Sequence, residues 1–286
     1  MSTQASTTFT REELDLEKKM ADRLGEGRLD VLAMPQVAMR ILNLIDNDRA
    51  TASDIAREVG RDQGIVTHIL ALANSAFYRG AVGVKNIEQA VVRLGLRELK
   101  GAVLMISLKN VFNNKTKPNL SKALWEHSLA TALIAKRVGT IVDVDPEDVF
   151  TAGLVHDIGK TVVLALYERL LTGGETGQVS EQVLGQLLDE FHLEAGRLLA
   201  RDWDLPAVAT EAIITHHSAE VHSREGRTVA LANKLAHVMG FPSPGSSESC
   251  DNLNEACQQL GITAEMQVKL IEETPELVRQ LETITT

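Results

Sequence analysis

Aromatic side chains are scarce in this 286-residue chain: they make up 3% of it, as two Trp, two Tyr and six Phe. A core with so few rings must be filled by Leu, Val, Ile and Ala, a composition that favours helices. Cysteine is nearly absent. Cys250 and Cys257 are the only two, which excludes a disulfide framework, and their spacing matches neither a zinc knuckle nor a redox pair. A reducing cytoplasm is the natural setting, and both read as idle thiols. Positive excess is missing too, with 29 Lys and Arg against 39 Asp and Glu. The net charge of −10 and a pI near 5.3 argue against wholesale wrapping of nucleic acid or of an anionic membrane. The longest apolar run, around Gly101–Leu108, is far too short to cross a bilayer. The opening MSTQASTTFTREE lacks the positive start and apolar core of a signal peptide. Two-residue alternation is sustained nowhere, so little or no sheet is expected, and no internal repeat recurs at a fixed period. What remains, 44% hydrophobic and 24% charged, suits one large globular domain or two small ones.

The chain then reads as a succession of helices. Arg11–Leu24 is a first polar helix, ended at Gly25 and Gly27. Pro35–Ile45, Ser53–Val59, Gly64–Asn74, Ile87–Leu94 and Glu98–Val111 follow, with Ser53 as an N-cap after Thr51. Tyr78–Asn86 is a glycine-bearing connection. Asn113–Asn119 (NNKTKPN) is a polar breaker and the expected domain boundary. Beyond it Ser121 opens a helix to about Val142. Asp145 before Pro146, with Asp148 close behind, starts the helix expected to carry His156. Thr172–Gln178 is a loop, and Ser180 opens a helix ending near Trp203. Pro206–Ser218 and Thr228–Gly240 are two more. Gly240–Asn252 reads as a flexible connection to two further short helices.

The stretch Gly153–Leu154–Val155–His156–Asp157–Ile158–Gly159–Lys160 stands at the centre of this organisation. Val149, Ala152, Gly153, His156 and Lys160 recur at helical steps, which places His156 on a core-facing stripe. Asp157 is turned about one hundred degrees from it. A carboxylate buried there is costly unless a cation, a donor network or a metal compensates it. Other helices of the second half carry similar residues on apolar stripes. His127 lies with Leu124, Ile134 and Val138, and His192 lies among Leu184, Leu188, Phe191, Ala195 and Leu199. His216 and His217 follow Ala209, Ala212 and Ile213, and Asn233 is in line with Val229, Ala232 and Ala236. One histidine on an apolar face is usually a core residue with a hydrogen-bond partner. Five such helices are better explained by one shared centre, since imidazole nitrogens and a carboxylate oxygen are what a divalent transition metal takes.

His127 followed by His156–Asp157 resembles the metal-binding signature of the HD superfamily of metal-dependent phosphohydrolases. Gly159–Lys160, His192, the His216–His217 pair and a polar residue at 233 are similar to its HD-GYP branch, which hydrolyses cyclic dinucleotides. The glycine-rich GYP stretch of that branch is missing here, for His217 is followed by SAEVHSREG. The first half points elsewhere in the superfamily. Leu32–Pro35 with Ile41–Leu44, LALANSAFYRG (70–80) and IEQAVVRLGLRELK (87–100) resemble the HDOD family, the HD-related output domain of bacterial signalling proteins. WEHSLATA (125–132), HHSAE and LANKLA (231–236) do so as well. The resemblance runs over about residues 28–240.

The resemblance implies an all-α fold, an N-terminal helical bundle packed on an HD-like helical bundle. It is expected to divide into a tail or helix at 1–27, subdomains at 28–113 and 120–240, and a helical appendage at 253–286. It implies metal ligands at His127, His156, Asp157, His192, His216, His217 and position 233, for an ion of the iron, manganese or zinc type. Catalytic relatives place an aspartate where Asn233 stands, and an amide brings no negative charge to a hard dication. The leading implication is a bacterial signalling output module acting through protein partners or a ligand, with a vestigial or sensory metal site. The alternative is a phosphohydrolase or phosphodiesterase acting on a nucleotide or cyclic dinucleotide, with Asp157 in the catalytic set and Lys160 steadying phosphate charge. A third reading takes Thr51–Asn74 as a DNA-binding helix-turn-helix, against which its arginines are balanced by acids. Arg93, Arg97 and Lys100 line one helix face and read as a solvated surface. His68, His222 and His237 stand outside the pattern as structural or exposed residues.

Overall fold

The computed structural model describes residues 10–27, 32–45, 47, 49–75, 78, 82–218, 221, 223–246 and 252–285. His222 and Cys250 lie outside the described residues. Among those described the chain forms thirteen helices and no strand. They are α1 (Arg11–Gly25), α2 (Gln36–Ile45), α3 (Ala52–Val59), α4 (Gln63–Asn74), α5 (Ile87–Phe112) and α6 (Pro118–Val142). Then come α7 (Pro146–Val155), α8 (Ile158–Thr172), α9 (Glu181–Asp202), α10 (Ala207–Thr215), α11 (Arg224–Val238), α12 (Leu253–Leu260) and α13 (Ala264–Thr285). The all-α expectation holds.

Local signals set most boundaries, with instructive departures. Thr51, not Ser53, caps α3: its hydroxyl accepts from Asp54 N while the Asp54 carboxylate accepts from Thr51 N at 3.0 Å, a reciprocal box. Ser121 does not cap α6, which starts at Pro118. Ser121 is buried inside it, accepting from Asn114 N at 2.8 Å and donating to Phe112 O. The helix expected to carry His156 stops at Val155, and α8 starts at Ile158. Asp157 sits between them with φ −106° and ψ 14°. The stretch from Pro146 to Thr172 holds an 18-residue run of mean hydropathy 1.5, enough by length and composition to cross a membrane, but the stretch is broken at Asp157 and 94% of that run is buried. It is core.

Gly95 breaks α5 in the same way, with φ +75° that only glycine adopts freely, so the two expected helices 87–94 and 98–111 meet at an angle. The first half packs α2, α3 and α4 on α5, and α5 continues onto α6 and α7. In the second half α6 pairs with α7 and α11, α8 with α9, and α10 with α7 and α9. The polar stretch 113–119 is anchored rather than free. Asn114 is buried and its amide donates to Glu168 Oε2 at 2.8 Å, while Thr116 donates to Glu168 Oε1 at 2.7 Å. The chain ends also cross between halves. α1 packs on α9 and α8, with Arg23 paired to Glu175 at 3.2 Å. α13, at 22 residues far from short, packs on both α6 and α4.

Candidate metal centre

The glycines around the His156–Asp157 pair permit the helices to meet. A Cβ at Gly153 would lie 2.9 Å from Ala132 Cα, so α7 crosses α6 at backbone contact and brings His156 beside His127. A Cβ at Gly159 would overlap His192 O, and one at Gly196 would lie 3.6 Å from Gly159 Cα. α8 and α9 therefore cross glycine to glycine, which brings His192 to Asp157. The break between α7 and α8 lets successive residues face one pocket, which the helical reading of this run did not anticipate.

Two sets of ligand-type atoms result, sharing Asp157. His127, His156 and Asp157 form one, and Asp157, His192, His216 and His217 the other, with one donor atom of each residue within 4.8 Å of those of its set. All are buried except His217, which is exposed. His127 Nε2 lies 3.2 Å from His156 Nε2 and 3.9 Å from Asp157 Oδ2. His216 Nε2 and His192 Nε2 lie 3.4 and 3.8 Å from Asp157 Oδ1.

The tautomers follow from the other ring nitrogens. His127 Nδ1 lies 2.7 Å from Phe241 O, His156 Nδ1 2.8 Å from Gly153 O, His192 Nδ1 2.7 Å from Asp189 O and His216 Nδ1 2.9 Å from Ala212 O. A carbonyl only accepts, so each Nδ1 carries the proton and each neutral ring turns a bare Nε2 lone pair inward. Asp157 Oδ1, His192 Nε2 and His216 Nε2 are buried without a hydrogen bond. Nε2 of His127 and Nε2 of His156 oppose lone pair to lone pair. Such an array is satisfied by a cation, and its Nδ1-to-carbonyl bonds are those that orient histidine ligands.

Charge is arranged to match. Burial holds His127 and His192 down to about 4 and His156 well below its ordinary value, although Asp157 pulls each upward. Burial pushes the Asp157 carboxyl up, but the Lys160 ammonium together with His216 and His156 outweighs it, and the group lies well below the usual carboxylate range. Lys160 Nζ is 2.9 Å from Asp157 Oδ2, and its side chain is fully buried. It also donates to Ser243 Oγ at 2.6 Å, while Ser243 donates to Asp157 Oδ2.

Asn233 is buried on α11, one turn before His237. His237 belongs to this neighbourhood after all, its ring packed edge-on to His127 with centroids 4.9 Å apart. Ser243 and the carbonyl of Phe241 were missed outright in the sequence, because they come from a stretch whose prolines, glycines and serines read as flexible. The i, i+4 step from Asn233 to His237 was the one available signal for the latter.

A cavity of about 660 Å³ opens onto the cluster, with His192, His216 and His217 on its floor and Arg227, Lys234 and Glu255 on its walls. Elsewhere the helix-turn-helix candidate loses its footing. Arg57 pairs with Asp54 at 2.8 Å and Arg61 with Glu58 at 2.7 Å, and Ile65, Ile69 and Leu72 of its second helix are buried. The basic row of α5 is not simply solvated either. Arg93 donates to Ala73 O and Val82 O, and Arg97 pairs with Asp145.

Known proteins share this architecture. A candidate metal-dependent phosphohydrolase from Shewanella amazonensis SB2B superposes with a TM-score of 0.78 at 18% identity, over 97% of this chain and 100% of its own. An HDOD domain protein of unknown function from Geobacter sulfurreducens gives 0.67 at 22%, over 95% and 98%. A candidate signal transduction protein from Marinobacter aquaeolei VT8 gives 0.68 at 18%, over 96% of this chain and 65% of its own. At these identities the likeness is one of fold. An uncharacterized protein of Treponema pallidum (strain Nichols) is 27% identical over 242 residues, 80% of this chain but only 46% of that protein. The chain thus spans about half the length of that curated relative. The HDOD domain profile matches residues 31–219, two thirds of the sequence. With the helical halves, the His–Asp pair at a helix break and that match together, the chain belongs to the HDOD family.

Proposed function

We propose that this chain is a regulatory output module of bacterial signalling, cytoplasmic, in which a divalent transition metal centre answers to a ligand or protein partner. The proposed units are 1–27, 28–113, 120–240 and 253–286, the second and third acting together. His127, His156, Asp157, His192, His216, His217 and Asn233 would hold the ion, of the iron, manganese or zinc type. The observation that carries this is the shared bonding: four buried rings are each tied through Nδ1 to a carbonyl, and Nε2 of His127, His192 and His216 lies within 3.9 Å of the Asp157 carboxylate. Imidazole-rich donors with a single carboxylate suit borderline metals better than hard ones. A bound ion would supply Lewis acidity and activate water.

A metal-dependent phosphohydrolase acting on a nucleotide or cyclic dinucleotide is the second reading, favoured by the cavity over the imidazoles and the two cationic residues on its wall. The buried state of Lys160 weighs against its acting on phosphate, because its ammonium already serves Asp157 and Ser243. Its role here is to hold the carboxylate. Elemental analysis of protein purified without added metal, beside His156→Ala, tests the centre. Stoichiometric metal lost in the variant is expected, and none in either protein would remove the metal from the proposal. Turnover of an activated phosphodiester by the metal-loaded chain, abolished in the same variant, would favour the enzyme over the module.

A further inference from the structure

The segment after α11 does more than connect helices. Phe241 N bonds back to Ala236 O at 3.0 Å, and Phe241 O takes the Nδ1 proton of His127. Ser243 is 4% exposed and stands between Pro242 and Pro244. Each proline locks its own φ and holds the residue before it extended, so Phe241 and Ser243 are presented in a preset conformation. Gly245, with φ +77°, is pressed so closely on Gly185 of α9 that a Cβ would overlap Gly185 O. Three consecutive footholds therefore fasten residues 241–245: a histidine ring on α6, the Asp157–Lys160 pair at the α7–α8 break, and the α9 backbone.

Within this strap the Ser243 hydroxyl closes a triangle. It accepts from the Lys160 ammonium and donates to Asp157 Oδ2, while Lys160 itself bonds Oδ2. Both of these bonds fall on Oδ2, and the other oxygen, Oδ1, faces His192 and His216. A carboxylate ligand is useful to an ion only if its free oxygen is held in place, and hydrogen bonds to the other oxygen do this. We infer that Ser243 is a positioning residue of the centre and that the 241–245 strap is a latch on Asp157 whose hold tightens when the metal is bound. The inference rests on the metal reading above, except for the latch on Asp157, which stands on the hydrogen-bonded strap alone.

Cobalt(II) titration of the full-length chain, followed by its visible absorption, reads the first half. Ser243→Ala is expected to weaken cobalt binding by about 10- to 100-fold, and Ser243→Thr, which keeps the hydroxyl, is expected to restore it. Equal affinity in Ser243→Ala and the parent chain would overturn the positioning role. Hydrogen exchange reads the second half and needs no altered strap: cobalt is expected to slow exchange at residues 241–246 of the parent chain. Unchanged exchange at saturating cobalt would overturn the tightening. If the parent chain takes up no cobalt, the metal reading fails, and Asp157→Asn in metal-free protein then decides. Faster exchange across 241–246 would sustain the strap as a latch on Asp157, and unaltered exchange would overturn it.

Discussion

Residue by residue, the centre depends on side-chain carbons that three positions lack. Glycine at 153, 159 and 196 removes the Cβ atoms that would keep α6, α7, α8 and α9 apart. Gly159→Ala is the sharpest single-atom test, since the added methyl would overlap the His192 backbone carbonyl and no side chain can move to make room. Destabilisation of about 3 kcal/mol or more is expected in denaturant unfolding, at or beyond the upper end for overpacked cores. A change below about 1 kcal/mol would mean that α8 and α9 do not cross where described. Much of this scale was legible beforehand. The ligand-type residues His127, His156, His192 and His216 stood on apolar stripes, with Asp157 and His217 as their sequence neighbours, and unpaired polar groups there are too costly to be accidental. The Nδ1 partners were not legible, because backbone carbonyls of Phe241, Gly153, Asp189 and Ala212 carry no mark in a sequence.

The elements show why the break between α7 and α8 matters. Periodicity across 149–160 is helical on both sides of Asp157, so a pattern of apolar spacing runs through the break without revealing it. Gly95 in α5 was more readable, because a glycine inside a helical pattern is a known punctuator. Just past that kink Glu98 meets Lys136 of α6 at 2.7 Å, and Lys136 meets Glu147 of α7 at 2.6 Å. Tyr78 donates to Glu98 as well, at 2.5 Å. Burial raises Glu147 to about 6, although Lys136 opposes it. The three side chains keep between 14% and 28% exposure. Lys136→Met would leave two half-buried carboxylates without their cation. The expected loss is about 2 to 3 kcal/mol in urea unfolding, the cost of breaking a buried pair discounted for residual solvent. Adding Glu147→Gln should recover part of it. No recovery would show that the three residues do not act as one bridge between halves.

At the scale of the whole molecule, the buried histidines set an acid limit. His127 and His192 take up protons near 6.5 when unfolded but only at about 4 in the fold, and burial holds His156 well below its ordinary value too. The unfolded chain therefore binds more protons across this window, so stability is fully present above about pH 6.5 and is lost as pH falls toward about 4. Glu147 works the other way, gaining between about 6 and its ordinary 4.5, and burial raises Asp148 and Glu190 as well, but the three histidines are more deeply buried than these acids. Urea midpoints of metal-free protein should fall steadily from about pH 7 to about pH 4. A flat profile would mean that the rings are not buried neutral. The same molecule is closed by its ends, α1 on α8 and α9 and α13 across α4 and α6. Those contacts are long-range, and no local pattern in Arg11–Gly25 or Ala264–Thr285 named their partners.

The sequence alone determined the helical class, most helix limits, the net negative charge and the identity of the ligand-type side chains. These follow from composition, short-range periodicity and the cost of burying polar groups, which are properties of neighbours along the chain. Only the tertiary structure decided that two sets of donors share Asp157, that Lys160 faces inward, and that a proline-rich connection is a strap. Those depend on which backbones approach within contact distance. That distance is set by missing Cβ atoms and by carbonyl direction at remote positions, and neither is visible until the chain has folded.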